Sequence, residues 1–266
     1  MKIGMTMALK RNILNKMKND ILNLKNKTIF ITGSNGFIGK EISKKFLMLG
    51  SKVIGSDLQE DKFNNKLNMF FKVNLNNKKE IDLMVYKIKK KYQKIDILIN
   101  NASYVGSDDK DFKKDKIFYN EKYENLNLSN TIYLTNSLVP MLKKSQSASI
   151  INISSIYSSL AYDYNLYKNT KMRAPLAYGV SKAGLVQYSK MLASALGPKI
   201  RINSVSPGGI YRNQPKKFVK KYLDKTPLKR MGKESDVVNT LLFLSSNLSS
   251  YITGQNIIVD GGYSVS

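Results

Sequence analysis

Tyr178-Gly-Val-Ser-Lys182 places a phenol and an ammonium four residues apart in a chain of 266 residues that has no histidine and no cysteine. The side chain that usually moves protons near neutral pH and the usual thiolate nucleophile are therefore both missing. Four residues on a helix bring the two groups onto one face, within about 6 Å. A free phenol titrates near about 10. A cation at about 5 Å, at an effective dielectric of about 20, contributes roughly 3 kcal/mol and draws the phenol toward neutral pH. Tyr178 is expected to act as general base for alcohol oxidation or general acid for carbonyl reduction.

The missing histidine and cysteine also leave only hard oxygen ligands, so no metal site is expected and zinc least of all. Apolar, β-prone runs recur at Thr28–Thr32, Lys52–Ser56, Met69–Val73, Ile95–Asn100, Ser149–Ser154, Ile200–Ser206 and Asn256–Val259. Helically spaced segments lie between them, such as Ile81, Met84, Val85 and Ile88. Strands alternating with helices predict an α/β fold: one doubly wound parallel sheet of about seven strands, with helices on both faces. The catalytic pair then falls on the helix after the fifth strand. Irregular segments are expected at Ser103–Asp115, Ser158–Ala174 and Gly208–Thr226, each beyond the carboxyl end of a strand, where open α/β sheets bind ligands.

The first strand runs into Thr32-Gly33-Ser34-Asn35-Gly36-Phe37-Ile38-Gly39, which opens a helical pattern. Glycines at these spacings permit a tight turn, close backbone approach to a pyrophosphate and close helix-on-strand packing. Asp57, followed by Leu58, ends the second strand. Its carboxylate can accept both ribose hydroxyls of an adenosine and would repel a 2′-phosphate, which favours NAD over NADP.

Together with Asn100-Asn101-Ala102-Ser103, Asn127, Ser154-Ser155, Ser206-Pro207-Gly208 and the terminal Gly254-Gln255 to Gly262, these motifs resemble the short-chain dehydrogenase/reductase family over about residues 28–262. The resemblance implies a single Rossmann domain over 28–266 and a catalytic tetrad of Asn127, Ser155, Tyr178 and Lys182. In that scheme Ser155 would hydrogen-bond the substrate oxygen, Lys182 would also hold the nicotinamide ribose, and Asn127 would anchor a proton-relaying water. It also implies cofactor contacts from Asn74, Leu75, Asn101, Ala102 and Ser103 on the adenosine side, and from Pro207, Gly208 and Ile210 along the nicotinamide.

The chain departs from the family pattern in its glycine spacing, in Asn74 and Ser103, and in the 22 residues separating Ser155 from Tyr178. That lengthened approach carries Tyr157, Tyr162, Tyr164, Tyr167, Lys168, Lys171 and Arg173. Aromatic plates beside cations suit a phosphorylated or nucleotide-linked sugar, and the loop is expected to border the substrate pocket. With Ser206 to Pro215 it resembles the flagellin and surface-polysaccharide modification subgroup. A 3-oxoacyl-carrier-protein reductase and a non-catalytic NAD sensor are the alternatives. Asp57 argues against the first and the complete tetrad against the second.

The formal charge is +25. It follows from Lys, Asn, Ile and Tyr enriched along the whole chain, and nucleic acid is not an expected partner. No run is long and apolar enough to span a membrane, and a cytoplasmic protein is expected. Residues 1–27 are basic, with helical apolar spacing, and read as an amphipathic extension. Apolar residues on more than one face of the helices holding Asn127–Leu142 and Tyr178–Leu196 predict a homodimer or homotetramer.

Overall fold

A computed structural model describes residues 21–62, 66–105, 121–170, 172 and 175–266. Most of the expected basic extension, with much of the segment after Ser103 and the side chains of Lys171 and Arg173, lies outside these residues. The strands are β1 (Thr28–Thr32), β2 (Lys52–Asp57), β3 (Met69–Lys72), β4 (Ile97–Asn100), β5 (Ala148–Ile153), β6 (Ile200–Pro207) and β7 (Asn256–Val259). They form one sheet in the order β3-β2-β1-β4-β5-β6-β7. Every pairing is parallel.

The helices are α1 (Phe37–Met48), α2 (Lys78–Lys91), α3 (Glu121–Glu124), α4 (Asn130–Leu142), α5 (Tyr164–Tyr167), α6 (Leu176–Leu196), α7 (Lys216–Lys225) and α8 (Glu234–Ser245). Side chains alternate across a strand, and the two cores follow that alternation. Phe30 and Leu98 face α2, α4 and α6, where they meet Met84, Leu138 and Ala193. Ile29, Ile31, Ile97 and Ile99 face α1 and α8, where they meet Ile42, Phe46, Val237 and Leu241. Strands buried on both faces read as continuous apolar runs, which is why β1 and β4 carry so little polarity. Leu24 is buried in the second core, and Ser51 Oγ donates to its carbonyl at 2.8 Å, so the globular domain begins before Thr28.

Two segments expected to be irregular are partly helical. Gly208–Thr226 contains α7, whose Phe218 and Tyr222, four residues apart, bury one stripe while its lysines stay wet. Ser158–Ala174 contains α5, capped by the Asp163 side chain. The two helices are clipped together by the Lys225–Asp163 ion pair at 2.5 Å and by Lys221 Nζ donating to Asn165 O at 2.6 Å. Short lysine-rich helices have weak apolar periodicity of their own, and here a third apolar cluster, including Ile156, Leu166, Phe218, Tyr222 and Tyr263, stabilises them.

β1 pairs with β2 on one side and β4 on the other, so the sheet order reverses at the carboxyl end of β1. A ligand crevice is expected at that point.

Candidate active site

A cleft of about 810 Å³ runs from the glycine loop after β1 to Tyr178 and on to the loop after β6. At its first end Gly33 has a left-handed φ of 64°, and a Cβ there would lie 2.9 Å from the Ala102 backbone. A Cβ on Gly39 would lie 2.0 Å from Gly33 O, so α1 can approach the turn only with glycine at that position. Asn101 Nδ2 braces the turn by donating to the carbonyls of Thr32 and Gly33, both at 2.9 Å. Free backbone N–H groups at the start of α1 therefore face the cleft, a ready anion site.

Gly33, Gly36, Phe37, Ile38, Asp57, Leu58, Asn74, Leu75, Asn101, Ala102 and Ser103 all line the cleft. Three motif residues do not. Ser34 is fully buried and its N–H donates to Ser56 O at 3.0 Å, because its side chain turns into the sheet. Asn35 braces the segment after β2, its N–H donating to Asp57 Oδ2 at 2.9 Å and its Nδ2 to Glu60 O at 2.7 Å. Gly39 serves the helix contact. Asp57 also accepts from Gln59 N–H at 3.2 Å, so its carboxylate is oriented before any ligand arrives.

At the other end, Ser155 follows β5 and caps a short 3-10 turn, Ile156–Ser158, its Oγ accepting from Tyr157 N–H at 3.3 Å. Tyr178 lies in the first turn of α6 and Lys182 one turn on, with Nζ 5.7 Å from the centre of the Tyr178 ring. A buried polar column sets the height of this helix. Asn100 Nδ2 donates to Asn152 Oδ1, Asn152 Nδ2 to Ser189 Oγ, and Ser204 Oγ to Ser189 Oγ, at 2.7, 2.7 and 2.8 Å. β4, β5 and β6 are thus registered against α6 by groups that would be costly to leave unpaired. Ser154, Ser155, Tyr178, Lys182, Pro207, Gly208 and Ile210 line this end.

The electrostatics differ from the sequence expectation. Lys182 is 2% exposed, and Nζ donates to Ile153 O at 2.8 Å. Burial lowers its pKa from the usual 10.5 to about 7. Burial raises Tyr178, while a hydrogen bond from Ser155 and then the charge of Arg212 pull it down. The expectation of a phenol lowered chiefly by Lys182 counted attraction and omitted desolvation, which in this chain acts on both partners.

Asn127 also departs from expectation. It lies in a π-helical turn, Asn125–Ser129, and is 1% exposed. Oδ1 accepts from Tyr104 N–H at 2.8 Å and Ser103 Oγ at 3.2 Å. Nδ2 donates to Tyr104 O at 3.0 Å and Ser181 Oγ at 3.2 Å. Every valence of the amide is used within the protein, so the side chain has none left for a relay water. It ties the segment after β4 to α6.

None of the four tyrosines of the lengthened approach lines the cleft. Tyr157 stacks on Tyr162 with ring centres 4.1 Å apart and shares a 3.0 Å hydroxyl contact with Tyr167, which in turn meets Phe218 of α7 at 5.6 Å. Tyr164 stays exposed, Tyr162 packs on Tyr157, and Tyr157 and Tyr167 pack instead against α7 and Tyr263. They act on the cleft indirectly, since Tyr222 Oη accepts the Gly209 N–H at 2.7 Å and holds the loop after β6. Tyr104, Arg212 and Gln214 line the cleft without having been singled out as contacts. Arg212 follows the Pro207-Gly208 turn, but only the folded loop reveals that it lines the cleft.

The sheet order, the glycine turn at its switch point and the Ser155–Tyr178–Lys182 grouping define a nicotinamide-dependent oxidoreductase. A family model described as Enoyl-(Acyl carrier protein) reductase matches residues 34–264. The chain is 36% identical over 258 residues to the 3-oxoacyl-acyl-carrier-protein reductase of Buchnera aphidicola, covering 91% of this chain and 98% of the relative. It is 33% identical to post-translational flagellin modification protein A of Campylobacter coli, covering 90% and 99%. The crystal structure of a short-chain dehydrogenase from Leptospira borgpetersenii with bound NAD+ superposes with a TM-score of 0.80 at 33% identity, covering 90% and 93%. The chain belongs to the short-chain dehydrogenase/reductase family, whose members act on alcohol and ketone groups. No described helix is long and apolar enough to cross a membrane.

Proposed function

We propose that the protein interconverts an alcohol and a ketone on a phosphorylated or nucleotide-linked sugar, using NAD(H), in surface-glycan synthesis. The observation that carries the oxidoreductase chemistry is the grouping of Ser155, Tyr178 and Lys182 at one end of a cleft whose other end is a glycine turn. Gly33 and Gly36 present bare backbone to the cleft and the N-terminus of α1 suits a diphosphate, so the residues fit a dinucleotide. Asp57, already oriented by two backbone N–H groups, would take the adenosine ribose hydroxyls and disfavour a 2′-phosphate. The likeness to flagellin modification protein A supports the sugar. The likeness to 3-oxoacyl-acyl-carrier-protein reductases supports the second reading, a 3-oxoacyl thioester.

The bound nicotinamide supplies the acceptor or donor of the hydride. In oxidation, ionised Tyr178 takes the hydroxyl proton of the substrate as the hydride leaves its carbon. In reduction, neutral Tyr178 gives that proton to the carbonyl oxygen. Ser155 Oγ, with one lone pair occupied by Tyr157 N–H, donates its own proton to the substrate oxygen and stabilises the charge there. Lys182, one turn from Tyr178, takes up a ribose hydroxyl and regains charge as ligand oxygens replace the lost water.

The test is NAD(H) turnover across sugar phosphates, nucleotide sugars and acetoacetyl-coenzyme A, with Tyr178→Phe beside the wild type. Turnover is expected on a sugar and should fall about 10²- to 10⁴-fold in the variant, with NADH affinity retained. Activity confined to the thioester would replace the sugar reading, and an unimpaired Tyr178→Phe would remove the mechanism.

A further inference from the structure

One wall of the cleft carries a cation that hydride transfer does not require. Among the described residues lining the cleft the cations are Lys182 and Arg212, and Lys182 is engaged by Ile153 O. Arg212 is exposed at the open side of the cleft, its guanidinium carbon 4.5 Å from the centre of the Phe37 ring. Glu234 acts on it through space, but no hydrogen bond or ion pair among the described residues takes up the guanidinium. A guanidinium has five N–H donors in a planar fork suited to phosphate and carboxylate. A phosphate entering the cleft would meet those donors as charge-assisted hydrogen bonds.

The backbone beneath it is fixed. Arg212 N–H donates to Gln214 Oε1, and Gln214 Nε2 donates to Ile210 O, each at 2.7 Å. Ile210 is in turn bridged to Gly232. Gln214 also lines an adjoining cavity of about 360 Å³, whose wall carries Tyr211, Lys216, Lys220 and the single carboxylate of Asp224. Two lysines against one aspartate therefore leave a net positive wall continuing outward from the cleft along α7. The diphosphate of a dinucleotide already has the N-terminal N–H groups of α1, whereas the Arg212 charge reaches the Tyr178 hydroxyl, at the reacting end.

We propose that Arg212 is the receptor for a phosphate group of the substrate, and that Lys216 and Lys220 attract the charge of the portion extending past Gln214. This rests on the oxidoreductase reading and gives its substrate a sign. Phe37 would hold the flat guanidinium in place by stacking, leaving the N–H edge for a bidentate contact.

The experiment saturates the protein with NADH and titrates it with UDP and with inorganic phosphate, reading heat and cofactor fluorescence. UDP is expected to bind the NADH-saturated wild type. Arg212→Met should weaken it about 10- to 100-fold, and Arg212→Lys should recover only part of that. NADH affinity of both variants should stay within about twofold, which also reports that they fold. Equal UDP binding by wild type and Arg212→Met overturns the proposal. So does a wild-type holoprotein that binds neither probe. A loss confined to NADH affinity overturns it as well, and assigns the guanidinium to the cofactor diphosphate. A wild type that fails to bind NADH at all refutes the oxidoreductase reading instead.

Discussion

Replacing Lys182 with methionine should change the stability of the ligand-free protein in a way that depends on pH. In the folded chain burial lowers the Lys182 pKa to about 7, against 10.5 for an ordinary lysine. Between those values the unfolded chain binds a proton that the folded chain has released, so stability rises with pH. Below about pH 7 both states are charged and the burial penalty is complete. The gap corresponds to about 5 kcal/mol at its upper limit. Between about pH 7 and pH 9, with the folded lysine already half neutral at the start, the accumulated part is about 2 kcal/mol. Methionine keeps a similar length, removes the titration and forfeits the 2.8 Å bond to Ile153 O, a loss that does not vary with pH. Urea unfolding of both proteins at the two pH values gives the quantity needed, because other titrations cancel in the difference. The wild type should gain about 2 kcal/mol on Lys182→Met from pH 7 to pH 9. A difference that stays flat would mean that Lys182 remains charged in the folded chain, and the desolvation argument for the Tyr178 pair would fall with it.

Two further outcomes follow from the cofactor end. Asp57→Ser removes the carboxylate proposed to take the adenosine ribose hydroxyls, and the ratio of NADPH to NADH affinity, measured by fluorescence titration, should rise about tenfold or more. An unchanged ratio would mean that Asp57 only orders the Asn35 backbone. Gly39→Ala places a Cβ 2.0 Å from Gly33 O and must displace the turn, whereas Gly36→Ala meets the same oxygen at 3.1 Å. Thermal and urea unfolding should show Gly39→Ala less stable by about 1–3 kcal/mol, with NADH binding weakened, and Gly36→Ala affected less.

Much of this molecule is legible in the sequence because its signals are local. The strands of a parallel sheet must be apolar on both faces, so all seven stand out, with ends within two residues of those observed. The glycine turn is equally plain, since Gly33 and Gly39 answer to backbone geometry a few residues away. α7 was harder to see, because its helix depends on Phe218 and Tyr222 finding Tyr167 and Tyr263, far apart in the chain. The same distance in sequence misled the reading of the tyrosine-rich approach. Tyrosines beside lysines suggest a sugar platform until Tyr157 and Tyr167 are seen packed into the cluster with Phe218 and Tyr263. The exposed Val180 and Met191 of α6 are where the expected subunit contact would fall.

The order of Asn127, Ser155, Tyr178 and Lys182, in a chain without histidine or cysteine, is enough to point to the family and to propose Tyr178 as the acid/base residue. Residue type and spacing fix what chemistry is possible, because they fix which groups can share a helix face or a strand end. The sequence leaves undetermined the charge state of those groups. Only the folded chain buries Lys182, raises Tyr178 against the opposing pull of Ser155 and Arg212, commits all of the Asn127 amide to Tyr104, Ser103 and Ser181, and brings Arg212 to the wall of the cleft. Desolvation and hydrogen-bond saturation depend on every atom surrounding a group, and those atoms come from strands and loops distant in sequence.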